Sequence, residues 1–167
     1  MSDLKLLTRY KAWANQLTYA AVTALPEGEA TKTRATRFKN MVHTLNHVFV
    51  IDHIFQAHLE GRPHHYTARN TPIDPPLAEL AEQVSRLDQW YVDYAASLSP
   101  AQHDERVQFE FVGGGAGDMT RGEIILHVVN HASYHRGFVG DMMYQIPVNP
   151  PVTDLPVFLR DVEHAAV

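Results

Sequence analysis

Hydrophobic and polar positions along this chain follow two periods, and the helical one dominates. Leu4, Leu7, Tyr10, Ala14, Leu17 and Ala21 recur at steps of three and four, which predicts an amphipathic helix over residues 3–24. Pro26 and Gly28 stop it. A second helical stretch over residues 38–60 is punctuated by Gly61 and Pro63. The segment GRPHHYTARNTPIDPP reads as a polar loop. Leu77, Leu80, Val84, Leu87, Tyr91 and Tyr94 then mark a third helix, about residues 76–97. Pro75 and Pro76 suit its first turn.

After Pro100 the period changes to two. RVQFEFV alternates Val107, Phe109 and Phe111 with Gln108 and Glu110, a strand pattern. GGGAGD is a turn, and a short returning strand runs into Met119. Thr120 and Glu123 form a capping box that opens a fourth long helix, about residues 120–145. Pro147, Pro150 and Pro151 end it. The tail TDLPVFLRDVEHA predicts a short helix capped by Thr153 or Asp154. No repeat or linker divides residues 1–167. The expectation is a single all-α domain: an antiparallel four-helix bundle with a small β-hairpin before the fourth helix and a short C-terminal helix.

Composition narrows the function. A hydrophobic share of 45% with 20% charged residues belongs to a folded globular chain. The net charge is −5 and the 14 Lys and Arg residues are scattered, which gives little grip on phosphates and argues against a nucleic-acid partner. The absence of cysteine excludes disulfides and thiolate metal sites, leaving His, Asp and Glu as ligands. No apolar run approaches the ~20 residues that span a bilayer, and the opening residues lack a signal-peptide pattern. A cytoplasmic protein with no membrane partner is expected.

The candidate chemistry lies in the histidines. LHVVNHASYHRG spaces His127, His131 and His135 four residues apart. On a helix a step of four turns about 40° net and rises about 6 Å. Either adjacent pair can therefore converge on one ion, but the outer two sit about 12 Å apart and cannot share it with the middle one. A third ligand must come from elsewhere. The second helix offers His43, His47 and His58 on roughly one side, with His53 turned away. Spacing alone leaves His43 against His47 open, and 127/131 against 131/135. His53, His58, His64, His65, His103 and His164 read as ordinary packing or surface residues.

Other residues change this picture less. Ala132 follows His131 where a zinc peptidase carries Glu, which argues against a peptidase. Asp52 reads equally as a carboxylate orienting a ligand histidine or as a helix-surface charge. Tyr134 and Arg136 are turned about 100° from His135 and are not expected to act directly. Tyr10 and Trp13 read as core. Gly137 inside a helix costs roughly 1 kcal/mol, a cost usually tolerated for close packing or ligand access.

Three stretches carry a family resemblance. YKAWANQLTYAAVTALP, TLNHVFVIDHIFQAHLEG and MTRGEIILHVVNHASYHRGFVGDMM resemble the first-, second- and fourth-helix motifs of DinB-like (YfiT-type) proteins. That family is named for damage-inducible members and is similar to bacterial thiol-dependent transferases. The resemblance covers nearly the whole chain, and the last motif is the most specific. It implies a divalent metal held by His47, His131 and His135, with His43 and His127 as neighbours. It also implies metal-dependent thiol transfer, with a low-molecular-weight thiol as cosubstrate, a small-molecule substrate and a homodimer. Zn best suits three imidazoles, with Ni next. Hydrolysis of a small substrate at an open coordination position is the related enzymatic reading. The alternative is a non-catalytic metal-binding stress-response module, its metal closed off by a fourth protein ligand. A DNA-binding role conflicts with the acidic charge. One departure stands out: Phe138 occupies the position after HRG where Gln is common, removing a polar contact there.

Overall fold

The fold, a computed structural model, describes residues 3–165. Four long helices dominate: α1 Asp3–Thr23, α2 Met41–Leu59, α3 Leu77–Ser97 and, after a one-turn helix α4 Pro100–His103 and a hairpin, α5 Arg121–Tyr144. Strands β1 Arg106–Glu110 and β2 Ala116–Thr120 pair antiparallel, with Phe109 opposite Gly117. A short helix α6 Leu155–Phe158 continues into a π-helical turn, Leu159–Glu163. Among the described residues no helix is long and apolar enough to cross a membrane.

The boundaries follow from local chemistry. Asn40 caps α2 by accepting from the His43 N–H at 2.7 Å, so the helix starts three residues later than its apolar pattern suggests. Lys39, at φ 64°, turns the chain immediately before that cap. Gly61, at φ 67°, supplies the left-handed residue just past α2. Thr120 and Glu123 form the expected capping box. A second box, Ser99 with Gln102, opens α4, and its Ser-x-x-Gln signature is present in the sequence. Asp154 precedes α6, but its side chain makes no capping bond.

Packing arranges the long helices in pairs. α1 lies against α3 and α5, and α2 lies against α5 and α3. One apolar cluster joins Val22, Met41, Leu45, Leu80 and Met142; another joins Phe55, Leu59, Tyr91, Ile124 and Val128, with Val107 and Phe109 of β1 packed on it. Phe158, fully buried, meets the rings of Tyr10 and Trp13 at 5.9 and 5.5 Å and pins the C-terminal turns to α1. Burying one such ring contributes about 1.5–3 kcal/mol.

Charges lie inside as well. Lys11 of α1 bonds Asp88 of α3 and, at 2.8 Å, Asp52 of α2. Asn15 donates to Asp88 at 2.9 Å and accepts from Arg136 of α5 at 3.1 Å. All five side chains are buried, so one polar network ties the four long helices together. Asp52 thus serves neither role expected of it. It is not an exposed charge, and its carboxylate faces Lys11 rather than a histidine.

Candidate metal centre

Two helices supply three imidazoles to one place. His47 projects from α2 and His131 and His135 from successive turns of α5, and one donor atom from each lies within 4.8 Å of the others. Their ring centroids are 4.4–5.1 Å apart. Among the described residues no fourth His, Asp or Glu joins the group. Because α2 and α5 pack face to face, the one-turn spacing of His131 and His135 points both rings at the helix that carries His47.

The surroundings hold the rings neutral and oriented. Burial pushes the His131 pKa down to about 2, helped by His135, His47, His127 and Lys11. Burial and then His47 push His135 down to about 4. His47 is lowered as well, chiefly by burial. Neutral imidazole is the form that ligates a metal. His47 Nδ1 lies 2.8 Å from the Arg69 carbonyl, which fixes that nitrogen as the donor and leaves Nε2 for a ligand. The Nδ1 atoms of His131 and His135 are buried without a hydrogen-bond partner. Such orphaned nitrogens are costly unless something else satisfies them, and each ring turns one donor atom into the shared cluster. The donor set therefore fits a divalent metal of the kind imidazoles prefer.

The neighbours divide as follows. His43 is drawn off to Asp74, its Nδ1 2.9 Å from the carboxylate. His53 bonds the Tyr66 hydroxyl at 2.8 Å. His127 lies outside the three-histidine group and packs on Phe55, ring centroids 4.8 Å apart. The Tyr134 side chain is exposed, while Arg136 belongs to the buried charge network. At Gly137 an added Cβ would meet nothing within 4 Å, so close packing does not explain that glycine. Phe138 joins Phe38 in an apolar wall, with Phe38 4.6 Å from His135 and 5.7 Å from His47 by ring centroids.

Several contributors were not legible in the sequence. Phe38 reaches the site only because the chain before α2 is a turn rather than helix. The loop after α2 acts as a strap: beyond the Arg69 carbonyl, Asn70 donates to the His43 carbonyl at 2.9 Å and Asn46 donates to Thr71 at 2.7 Å. A composition-based reading sees only polar loop residues there. Beside the histidines a cavity of about 240 Å³ is lined by His47 and His131 together with residues of α2, β1 and the strap. A larger cleft of about 760 Å³ lies between α1 and α3 and touches none of the three histidines.

Comparison with known proteins finds relatives at the level of sequence. Protein DinB of Bacillus subtilis (strain 168) is 25% identical over 166 residues, which cover 95% of each chain. Residues 1–164 match the DinB family. The match runs through α1, α2 and α5 and takes in all three clustered histidines, and the chain belongs to the DinB family.

Proposed function

We propose that this protein is a metal-dependent enzyme in which His47, His131 and His135 hold one divalent ion, Zn or Ni, and that it transfers a low-molecular-weight thiol to a small electrophile. The observation that carries the reading is the pairing of an imidazole triad, which no fourth side chain closes among the described residues, with an adjoining cavity. When bound, the ion would supply Lewis acidity, lowering the pKa of a thiol or water at its open position.

The chain's own residues do the rest. The Arg69 carbonyl holds the His47 ring in one orientation, and Phe38 and Phe138 keep water from one side. The cavity on the other side positions the electrophile. A C–S bond forms as the bond to the leaving group breaks; the leaving group departs with the electron pair, and the thiol proton passes to solvent. Hydrolysis of a small substrate would use the same site with water in place of thiol. The helix pairing supports reading the four long helices as an antiparallel four-helix bundle. Homodimer formation and a cytoplasmic location are part of the same proposal.

Metal analysis and a thiol screen test it. Wild type is expected to hold one divalent ion per chain and to turn over a monohalobimane with at least one low-molecular-weight thiol. His47→Ala, His131→Ala and His135→Ala should each lose both, while His127→Ala keeps the metal. Full metal retention in His135→Ala would sink the ligand assignment. A coordinatively saturated metal with no turnover would leave a non-catalytic binding module.

A further inference from the structure

The cavity beside the triad is more selective than its size suggests. Its walls are Ile51, Ile54 and Phe55 of α2 with Phe109, Phe111 and Val112 of the hairpin. Rings meet edge-on there: Phe55 with Phe109 at 5.4 Å and Phe109 with Phe111 at 5.0 Å. Two further histidines, His58 and His127, line the space. Burial with His64 brings His58 down to about 4.

Volume sets the occupant's size. An engineered apolar cavity of about 150 Å³ takes benzene, and pockets for drug-sized ligands begin near 300 Å³. The cavity here, about 240 Å³, fits one ring with one or two small substituents.

Arg69 supplies the remaining chemistry. It is the one lining residue with a full positive charge. Its carbonyl is committed to His47, but the exposed side chain makes no ion pair among the described residues. A guanidinium fork suits a carboxylate, which it can bind through two parallel hydrogen bonds.

We propose that the cavity selects a small, flat, apolar substrate of single-ring size that carries a carboxylate, with Arg69 binding the carboxylate and the apolar body lying among Phe55, Phe109 and Phe111 beside His47 and His131. This rests on the enzymatic reading above and names its electrophile class. Phe109 is the adjustable wall. Its ring lies across Gly117, where an added Cβ would come within 2.4 Å of it, so the glycine sets how far the ring can lie over the hairpin.

Binding of unreactive probes tests this apart from turnover. Zinc-loaded wild type should bind 4-methylbenzoate about ten-fold more tightly than 4-methylbenzamide by calorimetry, the scale of a hydrogen bond to a charged group. Arg69→Gln should erase that preference while the backbone carbonyl still holds His47. Phe111→Glu, which sets a negative charge on a different wall, should weaken the benzoate more than the amide. Phe109→Ala should weaken both. Wild type stripped of metal by a chelator should keep the carboxylate preference. The same affinity for both probes in wild type overturns the proposal. So does a preference that survives Arg69→Gln and vanishes when a chelator removes the metal, because the carboxylate would then be on the metal. Thiol transfer to neutral electrophiles without carboxylate selectivity leaves the enzymatic reading standing and overturns only this one. Probe binding without turnover does the reverse.

Discussion

His135 and Arg136 are consecutive residues of α5, yet they enter clusters built on opposite electrostatic principles. On the Arg136 side, two cations and two carboxylates are buried together with Asn15 as a neutral relay, and Lys11 bonds both acids. On the His135 side, three imidazoles crowd together without a counter-charge, and burial keeps them neutral. The first cluster sets cation against carboxylate, although Asp52 Oδ1 and Arg136 Nε are left without a hydrogen-bond partner. The second leaves two ring nitrogens without partners and has a third histidine oriented by a carbonyl. Neither burial nor an unpartnered atom therefore marks the candidate site; three like donors converging without a counter-charge do.

The contrast is broken most severely on the charged side. Lys11→Met leaves Asp52 and Asp88 buried without their cation and is expected to destabilise the fold by about 3–5 kcal/mol, read from urea unfolding. On the histidine side the expected effect is conditional. A divalent ion at 100 times its dissociation constant should stabilise wild type by about 2.7 kcal/mol and His47→Ala not at all, as thermal melts with and without chelator would record.

Acidification sharpens the comparison because the clusters respond with opposite signs. His135 of the triad, and His58 in the adjoining cavity, have folded pKa values of about 4, below the ordinary 6.5. Their stabilising contribution is thus present above pH 6.5 and is lost as pH falls toward 4. Asp52 is raised from 3.8 to about 6 by burial, against the opposing pull of Lys11. The folded state then favours its protonated form, and its contribution is lost as pH rises from 4 to 6. The metal-free protein should lose urea resistance between pH 6.5 and 4, and Asp52→Asn should make that loss steeper. The smallest effect is expected at the hairpin. In Gly117→Ala the far end of the Phe109 ring can swing aside, so stability should fall by no more than about 1 kcal/mol, while 4-methylbenzoate binds more weakly.

The two clusters were also unequally legible. Three histidines at four-residue intervals announce themselves, and helical geometry rules out the outer pair acting together. The turn of His53 away from His47 follows from the same geometry and agrees with its bond to Tyr66. Asp52, by contrast, carries no local mark of its partner: Lys11 lies 41 residues away on another helix. By period Phe38 belongs to the second helix, because an apolar residue just before an apolar helix fits the pattern. Only the Asn40 cap and the positive φ of Lys39 move it into the turn.

Periodicity, capping boxes and proline stops are local, so the chain by itself determined its long helices, its hairpin and the one-turn spacing of His131 and His135. The choice of His47 over His43 is a tertiary decision. Asp74 takes one ring, the Arg69 carbonyl orients the other, and both contacts come from a loop whose path depends on how it packs against α2. The same holds for the buried charges and for the cavity that Phe109 and Arg69 help to line: each arises where separate elements meet, and no repeat along one element encodes it.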